Sequence, residues 1–354
     1  MALRSMNEHQ FRRLISGEIK GAAAGAARQL LSVAAICYGV AVRFRNQLFD
    51  LQLKAVHRTG CPVISVGNLT TGGTGKTPMV ACVVELLQRQ GRRPGIVSRG
   101  YRADTDQGND EKRVLEQNCP GVPHIQNPDR LAACEQLLRS EAADVIVLDD
   151  GFQHRRLHRD LNIVLIDATC PFGYERMLPR GLLREPISGL RRADVVVVTR
   201  ADLVPASQLT AIESTVRSWA PRLVDRVHRV AFRPAQLLAT SGRTLPLDTM
   251  LGARLFLLSG IGNPQAFEQT VVALGGTIVG ARHFPDHHHY TADDVASVRQ
   301  AAAERQATLI LTTEKDLVKL DGHEDILAVR IAAAFEGNSQ QRFAAMISEI
   351  LSTR

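Results

Sequence analysis

A chain of 354 residues is long enough for about two domains. Its 45% hydrophobic and 22% charged residues are typical of an ordinary globular protein and exclude a disordered chain. The net charge of +7 and the pI near 9.3 favour an acidic partner such as a nucleotide, an anionic lipid or a nucleic acid. Because aromatic residues make up only 5% and no lysine-rich block is interleaved with them, a nucleic-acid surface has no support in the sequence.

The six cysteines are scattered as single residues, and none of them stands in a CxxC pair. This pattern indicates a reducing, cytosolic setting without a zinc site. The opening residues are polar and charged and lack an apolar core, so we expect no secretory signal there.

An apolar, helix-compatible segment extends from Ala22 to Phe49. Its uninterrupted stretch between Arg28 and Arg43 is shorter than the roughly 20 residues that span a bilayer. The segment therefore predicts either a helix that lies in the membrane interface, with its basic residues toward the headgroups, or a helix packed on the protein core.

A glycine-rich turn follows the apolar run from Pro62 to Val66 and precedes a segment with apolar residues at helical spacing. The turn consists of Gly72, Gly73, Thr74, Gly75, Lys76 and Thr77. Strand, turn and helix in this order are the context of a phosphate-binding loop, because backbone N–H groups and the helix N-terminus converge on one anion. The regular pattern has a glycine where this chain has Thr70, so the loop is a variant. We expect Lys76 to reach the β- and γ-phosphates of a nucleoside triphosphate and Thr77 to hold Mg²⁺.

Short runs rich in Val, Ile and Leu alternate with helix-like segments after this loop. Runs that do not alternate with polar residues are typical of strands buried on both faces, so they predict an α/β fold with a doubly wound, mostly parallel sheet of the phosphate-binding-loop NTPase kind. A second series begins near Arg254 and predicts a second, smaller α/β lobe. We divide the chain into an N-terminal membrane-interface helix region (1–50), a nucleotide-binding core (51–235), a linker (236–252) and a second lobe (253–354).

Two aspartates, Asp149 and Asp150, end one of the apolar runs. Ligands bind at the carboxyl ends of strands in sheets of this class, and a carboxylate there can bind the Mg²⁺ that bridges the β- and γ-phosphates. A solvated loop that opens with aspartates is the alternative. The presence of Lys76 and Thr77 in the same chain favours the magnesium site.

Seven sequence blocks stand in a fixed order between about residues 35 and 320. They read VGNLTTGGTGKTP, SRGY, DDGFQHRRLHRDLNIVLID, LPRGLLREP, SGIGNPQAF, FPDHHHYT and LTTEKDLVKL. In these blocks the chain resembles the tetraacyldisaccharide 4'-kinase family of lipid A synthesis. The resemblance implies transfer of the γ-phosphate of ATP, with Mg²⁺, to the 4'-hydroxyl of a lipid-linked disaccharide 1-phosphate. It also implies a two-lobed architecture and peripheral attachment to the cytoplasmic face of the bacterial inner membrane through the N-terminal helix, without nucleic acid or an obligate protein partner.

The resemblance also assigns roles to residues whose positions match the family's motifs. It implies catalytic roles for Lys76, Arg184, Asp110 and His287, nucleotide binding by the loop residues 72–77 and by Gln153, and metal binding by Thr77, Asp149, Asp150 and Glu185.

The segment around Asp110 departs from the family's pattern. The family usually reads G-D-E-P where this chain has Asn109, Asp110, Glu111 and Lys112. Asp110 is assigned as the general base because a sugar hydroxyl is a poor nucleophile at neutral pH and an oriented carboxylate can accept its proton. His287 falls on the histidine that the family pairs with this aspartate, where the imidazole holds or relays charge.

Three further patterns have open interpretations. The histidines at 287–289 look like a metal cluster, but neighbours on an extended chain point to opposite sides. The acidic residues Glu314 and Asp316 either contact nucleotide or belong to a solvated loop. The residues from Thr199 to Asp202 resemble the base-reading motif of GTPases with an arginine in place of lysine.

The alternative function is a membrane-associated, nucleotide-driven switch or partition-type ATPase without a small acceptor. Such proteins often carry an additional lysine early in the loop, where this chain has Thr70, Thr71 and glycines. A soluble kinase of a small polar metabolite is a third possibility, and it leaves the apolar N-terminal helix without a purpose.

Overall fold

One sheet joins all the strands in the described part of the chain. The computed structural model describes residues 8–100, 110–286 and 288–352. Its strands are β1 (Val63–Asn68), β2 (Pro94–Ser98), β3 (His124–Gln126), β4 (Val145–Asp149), β5 (Leu161–Asp167), β6 (Val195–Thr199), β7 (Val227–Leu238), β8 (Thr244–Leu245), β9 (Arg254–Ser259), β10 (Thr277–His283), β11 (Leu309–Thr313) and β12 (Ile326–Phe335). Across the sheet the order is β10, β9, β11, β12, β7, β6, β5, β1, β4, β2, β3, and β8 pairs with β7.

The α-helices in the same residues connect and cover these strands. They are α1 (Glu8–Ser16), α2 (Ala22–Asp50), α3 (Lys76–Arg89), α4 (Asp110–Asn118), α5 (Arg130–Arg139), α6 (Ala206–Trp219), α7 (Pro264–Ala273), α8 (Ala292–Glu304), α9 (Glu314–Leu317) and α10 (Ser339–Ser352).

The apolar runs form strands that are buried on both faces, as predicted. Every residue of β1, β4 and β6 is buried. Helices α3 and α10 pack on one face of the sheet, and α5 and α6 pack on the other. In the second series, α7 and α8 cover opposite faces of the strands β9, β11 and β12. The doubly wound α/β fold is therefore confirmed.

The order in which the chain adds strands to the sheet reverses at β1. This strand pairs in parallel with β4 on one side and with β5 on the other. In open α/β sheets such a switch point leaves a crevice beyond the carboxyl ends of the strands. The glycine-rich turn leaves β1 at this point, so the fold places the predicted phosphate-binding loop where ligands usually bind.

The predicted linker, 236–252, contains regular structure. Strand β7 continues to Leu238, and β8 follows it. The sequence pattern missed β7 because Pro234 interrupts it; this proline pairs with Ile331 of β12 beside a shift of register, where a missing N–H is tolerated. The sheet is continuous through β7, and α10 packs Phe343 on the core of the first half. The division into two lobes therefore stays a prediction.

Helix α2, with 29 residues, has two different faces. Ala35, Gly39, Val42 and Phe49 are buried against the protein. The other face exposes the large apolar side chains of Leu30, Val33, Ile36, Val40 and Phe44. Among the described residues, α2 is the one helix long and apolar enough to cross a membrane by length and composition, a test that core helices also pass. The packed face and the exposed face together fit the two alternatives that the sequence left open.

Candidate active site

The glycine-rich turn has a backbone that requires glycine at two positions. Gly72 and Gly75 have φ values of 109° and 84°, in the left-handed region. A Cβ at Gly75 would also lie 2.1 Å from the ring of Phe232 on β7. Helix α3 begins at the next residue, Lys76, so the turn delivers the chain to a helix N-terminus as a phosphate-binding loop does.

Hydrogen bonds from neighbouring strand ends hold this loop in place. The Asn68 side-chain amide donates to the Thr74 hydroxyl at 3.0 Å, and the Thr199 hydroxyl donates to the Thr74 carbonyl at 2.9 Å. Arg200 donates from Nη2 to the Gly73 carbonyl at 2.8 Å and pairs with Asp167. The Thr74 side chain is buried by these contacts, so we expect Thr74 to bind a phosphate through its backbone.

Asp150 lies close to two cationic side chains of the site. Arg184 donates to both oxygens of Asp150, at 2.8 and 2.6 Å, and Lys76 Nζ lies 3.9 Å from Oδ1. Burial raises the pKa of Asp150, but the hydrogen bonds and charge of Arg184 outweigh burial and bring the pKa to about 2. Asp150 is therefore ionised and fixes the two cations that the sequence assigned to catalysis.

Asp149 differs from its neighbour although the two carboxylates are adjacent in the chain. Its side chain is buried at the end of β4, and Oδ1 has no hydrogen-bond partner among the described residues. Burial raises the pKa of Asp149 to about 7, in spite of the nearby charge of Lys76. A buried carboxylate oxygen without a partner fits a cation ligand, since Mg²⁺ prefers oxygen donors.

Glu185, another predicted metal ligand, does not join Asp149 and Asp150 in a metal-binding group. Among the described residues no group of three or more His, Cys, Asp or Glu side chains is close enough to hold a metal ion. Glu185 is fully buried and accepts hydrogen bonds from Gln153 at 2.8 Å, Arg192 at 2.5 Å and Asn46 at 3.4 Å. Mg²⁺ usually keeps waters and phosphate oxygens among its ligands, so one or two carboxylates suffice.

Gln153 and Arg184 connect this site to β1 and to α2. Gln153 donates to the Asn68 carbonyl at 2.8 Å as well as to Glu185. Arg184 donates from Nε to the Thr70 carbonyl at 3.2 Å. The Tyr38 hydroxyl of α2 donates to the Arg184 carbonyl at 2.9 Å. The helix with the exposed apolar face is thereby bonded to the backbone of a predicted catalytic residue.

Asp110 is the first residue of α4, and it faces the second half of the chain. Lys319 Nζ lies 3.3 Å from Asp110 and 3.8 Å from Asp316, and the side chains of Lys319 and Asp316 are 6% and 0% exposed. His287, the predicted partner of Asp110, lies outside the described residues, as does Asn109. The predicted Asp–His pair therefore stays a prediction.

The acidic residues that follow β11, in α9, bind neighbouring elements of the fold. Glu314 accepts hydrogen bonds from Asn118 at 2.7 Å and from the backbone N–H of Ile331 at 3.0 Å. Asp316 accepts from the backbone N–H of Gly260 at 3.0 Å. The two side chains do not form a solvated loop. They instead bind the end of α4 and the loop after β9.

A polar cavity of about 370 Å³ adjoins the loop on the side of β5 and β6. Its lining residues are Arg12, Thr70, Thr71, Gly72, Gly73, Thr74, Asp167, Thr169, Cys170, Leu182 and Arg200. The cavity lies between the loop and the turns that follow β5 and β6, so it is open to a ligand whose phosphates rest on the loop.

Arg130 is a charged residue of the site that sequence reasoning missed. It is 7% exposed at the start of α5, and its Nε has no partner among the described residues. Burial and Arg99 lower the pKa of Arg130, while Asp150 and Asp149 oppose them, so its guanidinium lies among these charges. Its only sequence signal was the helix-capping Asp129 before it, which predicts a helix and no chemistry.

Comparison with known proteins decides the family. The family of tetraacyldisaccharide-1-P 4'-kinases, LpxK, matches residues 27–352. A tetraacyldisaccharide 4'-kinase of Syntrophus aciditrophicus is 39% identical over 315 residues, which cover 82% of this chain and 84% of the relative. One of Anaeromyxobacter dehalogenans is 40% identical over 319 residues, which cover 85% and 82%.

The chain belongs to the tetraacyldisaccharide 4'-kinase family. A crystal structure of LpxK from Aquifex aeolicus in complex with ATP has a TM-score of 0.76 and 28% identity, and the match covers 92% of this chain and 99% of that one. The resemblance in the seven sequence blocks is therefore confirmed. Membership of the family favours the kinase over the nucleotide-driven switch, while the roles of single residues stay predictions.

Proposed function

We propose that the protein transfers the γ-phosphate of ATP to the 4'-hydroxyl of tetraacyldisaccharide 1-phosphate. The single observation that carries this proposal is the junction at β1 and β4, where Lys76 and Arg184 both approach Asp150 beside a phosphate-binding loop. Phosphoryl transfer has a loose transition state, so catalysis depends mostly on positioning and on neutralising charge. The family's relatives carry the name of this kinase, which supports the choice of acceptor.

The reaction divides among the residues as follows. Lys76 and Arg184 neutralise negative charge on the transferred group, and Asp150 fixes the position of both cations. Mg²⁺ would be held by Thr77 and Asp149 and would neutralise charge on the β- and γ-phosphates. As the 4'-oxygen bonds to the γ-phosphorus, the bond from that phosphorus to the β,γ-bridging oxygen breaks, and ADP leaves. Asp110, assisted by His287, accepts the proton of the hydroxyl.

The nucleoside of ATP occupies the polar cavity beside the loop in this proposal. Arg200 bonds the Gly73 carbonyl and Asp167, so it connects the loop to the cavity wall. Its place after β6 is where the sequence suggested a base-reading motif. The cavity of about 370 Å³ lies within the range of small-ligand sites.

The acyl chains of the substrate require the enzyme to act at a membrane. The exposed apolar face of α2 provides about five large side chains for insertion at the headgroup boundary, while its other face stays packed. We assign this contact to the cytoplasmic face of the inner membrane, because ATP and the scattered free thiols both suit a cytosolic setting.

The test is transfer of radiolabel from γ-labelled ATP to tetraacyldisaccharide 1-phosphate in detergent micelles with Mg²⁺. The wild-type protein, Asp110→Ala and the matched control Glu116→Ala, another carboxylate of α4, are compared. We expect label in the lipid for wild type and Glu116→Ala, and at least about 100-fold less for Asp110→Ala. Equal label from all three would keep the kinase and remove Asp110 as the base. ATP hydrolysis without labelled lipid would overturn the proposed acceptor.

A further inference from the structure

Helix α1 precedes the part of the chain that matches the kinase family, yet it reaches the phosphate-binding loop. The family match begins at residue 27, whereas α1 spans Glu8–Ser16. Arg12 of α1 lines the polar cavity together with the first residues of the loop. Its Nη2 lies 3.0 Å from the position that a Cβ at Gly72 would occupy. A guanidinium group therefore lies against the loop at a place for which the family gives no assignment.

The body of α1 is anchored, so the position of Arg12 is defined by packing. Leu14 and Ile15, just after Arg12, are 4% and 1% exposed. Arg180 donates to the Ile15 carbonyl at 2.7 Å, and Arg28 of α2 donates to the Ile19 carbonyl at 2.8 Å. These bonds attach both the end of α1 and the turn after it to the rest of the protein.

The charge of Arg12 acts inside the cavity. Burial raises the pKa of the Cys170 thiol, and Arg12 is among the groups that oppose this rise. Burial likewise raises the pKa of the Tyr174 hydroxyl, and Arg12 again opposes it. Cys170 lines the cavity on the side across from the loop. The guanidinium thus faces space that is bordered by the loop on one side and by the turn after β5 on the other.

The early part of the loop lacks a cation of its own. Its residues before Lys76 are threonines and glycines, and Arg200 is paired with Asp167 and the Gly73 carbonyl. A guanidinium group recognises phosphate through two parallel hydrogen bonds and carries a positive charge. The threonine hydroxyls of the loop are neutral and cannot supply that charge. Gly72 keeps this approach open, because a side chain there would meet the Arg12 guanidinium.

We propose that Arg12 is a phosphate-binding residue, which contacts the triphosphate of the bound nucleotide at the Gly72 end of the loop. The identity of the nucleotide rests on the proposed function; the contact itself does not depend on the acceptor. Arg12 supplies a further cation to the phosphate chain, in addition to Lys76 and Arg184, from a segment that precedes the residues matched by the kinase family. Its contribution rises with the number of phosphates, because each adds negative charge near the guanidinium.

The experiment measures the dissociation constants of radiolabelled ATP and AMP by equilibrium dialysis with Mg²⁺ and without lipid. The variants are Arg12→Ala, Arg12→Gln and Arg12→Lys. The matched control is Arg13→Ala, since Arg13 is the next residue and its exposed side chain pairs with Glu18 at 3.3 Å. Thermal unfolding without nucleotide checks that each variant is folded, and Arg12→Gln preserves the length of the side chain if Arg12→Ala does not fold.

We expect Arg12→Ala and Arg12→Gln to weaken ATP binding by about tenfold or more and AMP binding by no more than about twofold, since each variant loses a charge-assisted hydrogen bond to the phosphate chain. Arg12→Lys retains part of the ATP affinity, and Arg13→Ala retains all of it. Equal losses for ATP and AMP, or no loss, would overturn the proposal. A wild-type protein that binds ATP in this pattern but labels no lipid would leave Arg12 in its role and remove only the proposed acceptor.

Discussion

The two halves of the sheet place polar residues at the same kind of position but use them differently. At the carboxyl ends of β1, β4 and β6, Asp149 keeps an oxygen without a partner among the described residues, and cationic groups border an open cavity. At the ends of β9, β10 and β11, most polar groups bind one another, although Asp316 Oδ1 lacks a hydrogen-bond partner among the described residues and lies 3.8 Å from the Lys319 ammonium group. The Ser259 hydroxyl and His283 are 2.8 Å apart, and Thr313 donates to Asp316 at 2.8 Å. An incomplete set of hydrogen bonds at a strand end therefore does not mark a site by itself; the first half differs because an open cavity borders its strand ends.

The second half still reaches the site, through Lys319. Its ammonium group pairs with the buried Asp316 and with Asp110 on the first half. The second half thus supports and orients one predicted catalytic carboxylate. Four experiments test this difference between the halves.

The largest effect is expected for the cation of the loop. Lys76→Ala should lower lipid phosphorylation by about 10²–10³-fold or more, because it removes a charge aimed at the transferred phosphoryl group. The control is Lys315→Ala, which changes an exposed lysine of α9, just after β11 in the second half. Its kcat should stay within about twofold of wild type. Comparable losses for both lysines would contradict the division of roles between the halves.

The next effect concerns two arginine–aspartate pairs in which the arginine binds both carboxylate oxygens. Arg184 binds both oxygens of Asp150 in the first half, and Arg299 binds both oxygens of Asp325 in the second, at 2.7 and 2.6 Å. We expect Arg184→Ala to lower kcat by about 100-fold, since one preorganised donor is typically worth that much. Arg299→Ala should leave kcat unchanged. Steady-state kinetics of the two variants, with ATP and lipid varied separately, would show whether position or geometry matters.

The third effect is on the free energy of unfolding, through the contact of Lys319 with Asp110 and Asp316. Lys319→Met leaves Asp316 fully buried without its cation, so it should lower the free energy of unfolding by about 3–5 kcal/mol. Asp321→Ala breaks a neighbouring pair with Arg113, but the Asp321 side chain is 79% exposed, so its cost should stay below about 1 kcal/mol. Urea unfolding followed by circular dichroism measures both. Similar costs for the two variants would show that Lys319 is not a structural support.

The smallest effect is on the pH dependence of stability. Burial lowers the pKa of His124, His154 and His228 to about 4 each. Between pH 6.5 and 4 the unfolded chain binds protons that the folded chain does not, so stability is full above pH 6.5 and falls toward pH 4. His228→Gln should weaken this fall by about 2–3 kcal/mol, and the exposed control His289→Gln should not change it. Urea midpoints at pH 7.5 and 4.5 give the comparison; an unchanged fall in His228→Gln would exclude His228 as a contributor.

Local signals in the sequence were enough to predict the parallel α/β fold and the position of the loop and the aspartate pair at one edge of the sheet. The turn from Gly72 to Thr77 and the pair Asp149–Asp150 lie within a few residues of their own strands, so their placement follows from strand order. The contact of Lys319 with Asp110 joins residues 209 positions apart, as their numbers show, and neither residue alone predicts it.

Other features of the site depend on tertiary packing between distant residues, so no local sequence pattern predicts them. The ring of Phe232 that restricts Gly75 comes from β7, which Pro234 obscured. The complete burial of Glu185 results from three donors on separate elements. Arg12 lies outside the shared blocks, so resemblance to the family could not assign it.

The packing of α10 affects how the protein folds during its synthesis. Phe343, Ile347 and Leu351 of α10 belong to the same apolar core as α3 and β1. When the phosphate-binding loop and its flanking strands have left the ribosome, this core still lacks the side chains that α10 contributes. Folding during synthesis therefore cannot complete the nucleotide-binding half as an independent N-terminal domain. That half is completed only after α10 has been synthesised.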